Sequence, residues 1–552
     1  MSVGHSVTPG GGGARWRPLI GLAAVAVVFW IGYAAVRPTN FGGADEWLLI
    51  DLSSRGVLEF PYANRPLNLL WTTIAAQAWP HELRSYWLFN GLYACGAAWL
   101  TALLTRRLLP GSLGLAVLAG VFAAVWAPLD GLRLSGVLGC AYSGFALCTM
   151  AALTLFVESW HRRRLDLLLL GAVLGFVAAR GYESVIPILL VAPLLVVEEA
   201  VADRRRGFKW LALWLGVVAL ELALALRPLV AGSPSYQKGA LGLDPAPFRV
   251  VGRLWQLLGM QAAPLVTTPL SELVTPAVPL AVAAFVIPVW MAIAWRGGPS
   301  DVPSARAAGF RAVGLGLTLA AAGHAGLALS ESVSTPARTQ ILSGPGFGLA
   351  LAGVVVLLSS LLPGRLVRVG GLALGAWVVA VGTGRTVAMQ GEWDSFRGVH
   401  AEQHRTLSDL VRRAPGLEPG TLVVLLDGGR IWPMSFTFRH AVAYLYPDQA
   451  QGLVPHGADM LYPWSFTPEG VVITPWATIR DAWDVEPSFH PWSALVVARA
   501  SESGGLEIVG EWPEGELPPL PPGARYAPLE RVERDEPPPA SRRILRAGGD
   551  GR

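Results

Sequence analysis

Two adjacent carboxylates, Asp45 and Glu46, follow the first apolar run and open the stretch Ala44-Asp45-Glu46-Trp47 to Asp51. A carboxylate that borders an apolar surface can serve as general base toward a hydroxyl or amine arriving from water. If residues 45–54 form a helix, Asp45 projects near Leu48, Leu49 and Leu52, which supply that surface. The same residues also suit a helix start, whose first turn favours acidic side chains. Cations stand where they could meet a phosphate or a carboxylate: Arg65 before Pro66-Leu67, then Lys238, Arg249 and Arg338. A guanidinium offers forked donors to such oxygens, although interface anchoring explains a lone cation equally well. Arg180 and Glu183 interrupt two apolar runs, so they either join this substrate-binding set or pair with each other.

The elements that must position these groups cross a membrane. Hydrophobic residues make up 53% and charged residues 15% of the 552, and the mean hydropathy is +0.45. Apolar runs recur at 18–36, 85–104, 112–129, 137–157, 165–179, 184–197, 209–226, 273–295, 310–329, 341–362 and 369–387. Most approach the roughly 20 residues that a helix needs to cross hydrocarbon. The first lacks a small-residue cleavage site and reads as a retained span rather than a signal peptide. The expected fold is a polytopic α-helical membrane protein with about 11 transmembrane helices and a small α/β extracytoplasmic C-terminal domain.

Basic clusters alternate with the runs: Arg15 and Arg17, Arg106-Arg107, Arg162 to Arg164, Arg204 to Arg206, Arg306 with Arg311, and Arg365 with Arg368. The positive-inside rule puts these in the cytoplasm. Residues 1–17 are then a cytoplasmic leader, and 18–388 form the transmembrane domain with outer loops at 37–84 and 227–272. Residues 389–517 form the extracytoplasmic domain, and the proline-rich 518–552 reads as a disordered tail. The segment Leu67 to Trp79 is too short to span comfortably and suits an interfacial or re-entrant helix. An amphipathic helix is expected near Phe248–Leu258, and a helix over Glu392–Arg413 ended by Ala414-Pro415.

Several features carry no chemistry. The net charge of +4 is spread over membrane-flanking clusters and does not argue for nucleic acid. Cys95, Cys140 and Cys148 lack metal-like spacing and suit buried core positions. His324 suits helix packing, and His400 and His404 lack the glutamate of a His-Glu-x-x-His motif.

With its first span, the acidic Ala44-Asp45-Glu46-Trp47, the following Arg65-Pro66-Leu67 and the alternating spans, the chain resembles the GT-C class of integral-membrane glycosyltransferases. The likeness is to bacterial members related to protein O-mannosyltransferases and to transferases that modify lipid A or O-antigen. It implies a hexosyl- or pentosyltransferase of the cell membrane that uses a polyprenyl-phosphate-linked sugar and a lipid, glycan or protein acceptor on the outer face. It further implies that Asp45 is the catalytic base of an inverting displacement. Glu46 would orient the acceptor or assist a divalent cation, while Arg65, Lys238 and Arg338 would hold the lipid phosphate. A transporter or flippase of lipid-linked sugars is the rival reading, although the charges sit at the membrane boundary and no repeat is visible. A non-catalytic membrane assembly protein is the third; it would tolerate substitution of Asp45.

Overall fold

The computed structural model describes residues 13–35, 45–61, 65–110, 112–126, 131, 135–231, 246–294, 302–329, 340–364, 366–392, 394–426, 428–455, 459, 461–501, 505–533 and 538–545. Lys238 and Arg338 lie outside them.

The chain folds as a polytopic helical protein. Its long helices are α1 (Gly13–Ala35), α4 (Leu83–Leu108), α5 (Leu113–Val125), α6 (Gly136–Arg162), α7 (Leu165–Gly181), α10 (Arg204–Ala231), α12 (Ala277–Ala294), α13 (Val302–Ala328), α14 (Gln340–Ser359) and α15 (Leu366–Glu392). Among the described residues six helical stretches are long and apolar enough to cross a membrane, and three shorter apolar helices accompany them. Each apolar run read from the sequence contains helix. The stretch 183–202 differs in being broken: 3-10 turns flank α8 (Ile186–Val191) and lead into α9 (Val197–Ala202). Pro187 and Pro193 explain the breaks, since each removes a backbone donor and crowds the preceding turn.

The basic helix ends gather on one side. Arg107 of α4 pairs with Glu158 of α6 at 2.7 Å, and Arg162 meets the same carboxylate. Arg311 reaches Glu198 at 3.2 Å, and Arg306 donates to the Ser360 carbonyl at 2.8 Å. The opposite ends of these helices carry the first loop, with α2 (Glu46–Ser54) and α3 (Leu70–Ala78). Nine residues of α3 extend only about 14 Å, which agrees with a non-spanning helix. Helix α11 (Pro247–Ala262) is the expected amphipathic helix, and Phe248, Val251 and Trp255 are exposed along it. Its Gln261 anchors it through Oε1, 2.9 Å from Nε2 of the buried His324.

Beyond α15, α16 (Asp394–Arg413) ends at Ala414-Pro415 as expected. Three small sheets follow. Strands β2 (Thr421–Leu426), β3 (Ala450–Leu453), β7 (Leu495–Ala500) and β8 (Leu506–Ile508) lie in the order β3-β2-β7-β8. β2 runs parallel to both β3 and β7, and every residue of β2 is buried, the Val/Leu-rich pattern of a covered parallel sheet. Strands β4 (Trp464–Thr467), β5 (Gly470–Ile473) and β6 (Ser488–Pro491) form an antiparallel sheet. Helices α17 (Ser435–Leu445) and α18 (Ala477–Trp483) pack alongside.

Two sequence expectations need correction. The tail from 518 is not disordered throughout: β9 (Val532–Glu533) pairs with β1 (Gly416–Leu417), and Ile544 is buried in the domain core. Arg531 explains part of this order, since it pairs with Glu418 and donates to the Pro419 carbonyl at 2.9 Å. Nor does 389 separate two cores. Trp47, Leu48, Leu49, Ile50 and Leu52 of the first loop belong to the same buried cluster as β2, β7 and α17.

Candidate active site

Helix α2 is the unit on which the first-loop acids are mounted. Its sequence, Glu-Trp-Leu-Leu-Ile-Asp-Leu-Ser-Ser, carries an apolar middle between polar ends, and residues 46–53 are all buried. It packs on α3, α6 and α17, so its two ends are fixed while its middle carries no solvent-facing surface. Ser53 Oγ donates to Thr72 Oγ1 at 2.9 Å and ties it to α3.

Asp45 occupies the N-cap position of α2, half-buried. Its carbonyl accepts from the Leu49 N–H at 2.9 Å, but its carboxylate makes no capping bond to the helix. The capping hydrogen bond that often accounts for an aspartate at this position is therefore absent. Glu46, only 1% exposed, accepts from Ser135 Oγ at 2.7 Å. Ser135 caps α6 by accepting from the Leu138 N–H at 3.2 Å, and its carbonyl accepts from Asn90 at 3.1 Å. Asn90 in turn accepts from Ser143 at 2.6 Å. Glu46 thus rests at the positive end of a 27-residue helix, an environment that favours a carboxylate.

Arg65 and Glu183 form a forked pair: Nε donates to Oε2 at 2.8 Å and Nη2 to Oε1 at 2.6 Å. The guanidinium also lies 5.2 Å from the Tyr182 ring centre. Asn68 adds a bond to the Gly181 carbonyl at 3.0 Å, so the first loop is stapled to the end of α7. Glu183 therefore takes Arg65 rather than Arg180 as its partner. Arg180 instead lies within electrostatic reach of Glu221, a buried acid on α10. Sequence reading passes over Glu221, whose signal is a single acid inside the apolar run Leu211 to Leu226.

The opposite end of α2 enters the C-terminal domain. Asp51 Oδ2 accepts from Nδ1–H of His440 at 2.6 Å, and the other ring nitrogen accepts from the Tyr462 hydroxyl at 2.9 Å. An ionised carboxylate only accepts, which fixes this direction. Burial favours the neutral imidazole and pulls the His440 pKa below its ordinary value, against the opposing pull of Asp51. Arg55 approaches the same Asp51 oxygen at 3.2 Å. Trp432 on Trp47, the Trp483 indole N–H on the Glu59 carbonyl (3.0 Å), and Tyr444 against His81 (2.7 Å) complete the joint. A cavity of about 870 Å³ opens here, lined in part by Asp51, Arg55, Arg439 and His440. Arg439, His440 and Tyr462 escape sequence reading; for the first two the signal is an Arg-His pair inside the apolar run Phe436 to Tyr446.

The structure thus brings Asp45 and Glu46 together on one rigid mount and joins Arg65 to Glu183. Among the described residues no three metal-ligating side chains cluster.

Structure comparison finds likeness over most of the chain to solved structures that include those of two proteins. One is ArnT from Cupriavidus metallidurans, solved bound to undecaprenyl phosphate and in the apo state. These share 14% and 16% identity over 78% of this chain, cover 86% and 85% of ArnT, and both give a TM-score of 0.40. The other is the archaeal oligosaccharyltransferase AglB from Archaeoglobus fulgidus, in complex with an inhibitory peptide and a dolichol-phosphate. It shares 14% identity over 80% of this chain and 65% of AglB, with a TM-score of 0.43. No family model and no curated protein matches the chain. A likeness this loose extends to no individual residue.

Proposed function

We propose that the protein is a membrane glycosyltransferase that moves a hexose or pentose from a polyprenyl-phosphate donor to a lipid, glycan or protein acceptor, with inversion. The observation that carries this reading is the mount of Asp45: a carboxylate at the first turn of a fully buried helix, which it does not cap, next to a Glu46 locked onto α6. In the reaction Asp45 takes the proton of the acceptor hydroxyl as that oxygen attacks the anomeric carbon. The bond from that carbon to the phosphate oxygen breaks, and polyprenyl phosphate leaves with the electron pair. Fixed cations near the leaving phosphate would supply much of the rate; Lys238 and Arg338 are assigned this role on sequence grounds. Arg65 and Glu183 hold the loop, and Glu46 positions α2 and orients the acceptor.

The basic helix ends are assigned to the cytoplasm of a cell-membrane protein. The first loop and C-terminal domain, at the opposite ends, then face outward.

The test is Asp45→Asn in membranes supplied with a polyprenyl-phosphate sugar. Transfer should fall by about 10²–10⁴-fold, the usual contribution of a general base, with insertion unchanged. Wild-type transfer rates in the variant would sink the reading. One observation favours a translocator of lipid-linked sugars instead: the proline-broken span at 183–202, a feature of transporters. That alternative requires bilayer crossing of the lipid-linked sugar without any transfer product.

A further inference from the structure

The sequence places residues 227–272 in an outer loop, yet the contacts of α11 lead down into the span. Arg253 Nη1 donates to the Ala328 carbonyl at 3.2 Å, at the end of α13. Farther along α11, Gln261 Oε1 accepts from His324 at 2.9 Å, one turn deeper on α13, and from Ser343 of α14 at 3.1 Å. The Leu265 carbonyl then accepts from Nε1 of Trp377 at 3.0 Å, and Trp377 stands near the middle of the 27-residue α15. The chain returns along the same helix, where Glu272 pairs with Arg385 at 2.9 Å. The result is a hairpin with its turn at 263–269.

A chain that turns inside lipid must satisfy its own polar groups, because the hydrocarbon offers no hydrogen bonds. This turn does so. Trp126 Nε1 donates to the Gln261 carbonyl at 3.0 Å. Thr267 Oγ1 donates to the Ala263 carbonyl at 3.0 Å and Thr268 Oγ1 to the Pro264 carbonyl at 2.7 Å, while Trp377 serves Leu265. Pro264 and Pro269 bring no N–H that would need a partner. Residues 254–271 contain no charged side chain, and Glu272, the first after them, is neutralised by Arg385. Arg249 and Arg253 stand at the entry.

The outside of the hairpin is bare and apolar. Trp255 is 79% exposed, Val266 87% and Leu270 75%. A methyl group added to Gly252 or Gly259, on the Trp255 side of α11, would meet nothing within 4 Å. Exposed apolar side chains continue along the chain to Leu280 and Ile287 of the apolar α12. In water such a surface calls for a partner; acyl chains cover it without one.

We propose that residues 247–274 form a re-entrant hairpin that dips into the leaflet on the first-loop side, with lipid acyl chains as its partner. Arg249 and Arg253 lie at headgroup level, and Trp255, Val266 and Leu270 face the chains. The assignment holds for a transferase and a translocator alike, since it concerns only how this loop meets lipid.

The test is depth measurement by spin labelling of the full-length protein in phosphatidylcholine nanodiscs. Cys95, Cys140 and Cys148 are buried, so the label goes to one introduced cysteine. The sites are Val251→Cys and Val266→Cys in the hairpin, Leu280→Cys on α12, and Glu469→Cys at an exposed position between β4 and β5. Collision rates with oxygen and with a water-soluble nickel chelate report depth. The label at Val266 should lie about 10 Å below the phosphates and the label at Val251 nearer the surface, at about 5 Å. Leu270→Cys repeats the measurement on the return limb if the Val266 variant fails to insert. The proposal is overturned if the hairpin label meets the chelate as often as the Glu469 label does, which leaves the loop in water. It is overturned equally if the hairpin label is shielded from both reagents while the Leu280 label stays open to oxygen, because protein rather than lipid then covers the face.

Discussion

Asp51 and His440 are 389 residues apart in the chain and 2.6 Å apart in the fold. One sits on the helix that carries Asp45 and the other on α17, so the first loop and the C-terminal domain meet through a buried acid and a buried imidazole. His440 further accepts from Tyr462, which extends the joint to the segment before β4.

Replacing His440 with Ala should break this joint. Asp51 would keep only Arg55, which is 43% exposed and a weak substitute. Removing one partner of a buried hydrogen-bonded charge costs about 3–5 kcal/mol, and Arg55 should hold the loss near the low end. The measurements are the thermal midpoint in detergent and protease sensitivity around α16. An unaltered midpoint would mean that the two parts dock independently of this contact.

Acid should destabilise the C-terminal domain. Burial lowers the pKa of His404, His440 and His490 below the ordinary value. Below about pH 6.5 the unfolded chain therefore binds more protons than the folded one, and stability falls as pH falls. Each histidine contributes up to about 1.4 kcal/mol per pH unit. Asp459 works in the opposite sense. Burial pushes it up to about 6, so its contribution is greatest in acid and is lost as pH rises through that value. Three histidines outweigh one carboxyl. The thermal midpoint should drop between about pH 7.5 and 5.5, and Asp459→Asn should steepen the fall below about pH 6. A flat profile would contradict the assignment.

The helices were legible because membrane spans announce themselves by length and apolarity, and the α/β character of the C-terminal domain because short Val/Leu-rich runs at 421–426, 471–474 and 494–498 stand between turns, where β2, β5 and β7 form. Asp45 and Glu46 were legible through their position after the first run. Their support was not. Nothing local marks Ser135 as the donor to Glu46, or Glu183 as the partner of Arg65 from 118 residues away. The order in 518–533 and 538–545 was hidden for a related reason: a proline-rich stretch reads as solvated unless its few buried residues, Ile544 among them, pack against the domain core.

Glu46 and Ser135 separate positioning from chemistry. Glu46→Gln keeps an oxygen for the Ser135 hydroxyl, so α2 should stay in place and transfer should fall by less than about tenfold. Glu46→Ala leaves that hydroxyl without its acceptor, and Ser135→Ala also removes the α6 cap, worth about 1 kcal/mol. Both should lower the thermal midpoint together with transfer. If Glu46→Gln instead abolishes transfer at an unchanged midpoint, the charge itself takes part in the reaction.

Gly144 sets how closely α3 can approach α6. A methyl group there would stand 2.2 Å from Cγ of Trp71 and 2.5 Å from its Cδ2, inside the rigid indole. Trp71 cannot swing aside easily, since Tyr93 and Phe145 meet it edge-on at 5.2 and 6.3 Å. Gly144→Ala should therefore push α3 outward, at about 1–3 kcal/mol for overpacking. Because Thr72 on α3 holds Ser53 on α2, the displacement should reach the mount of Asp45 and lower transfer as well. Trp71→Ala, which removes the Cγ and Cδ atoms that collide, should make Gly144→Ala cost much less in its background than in the wild type. An equal cost of Gly144→Ala in both backgrounds would mean that the indole is not what excludes the methyl group.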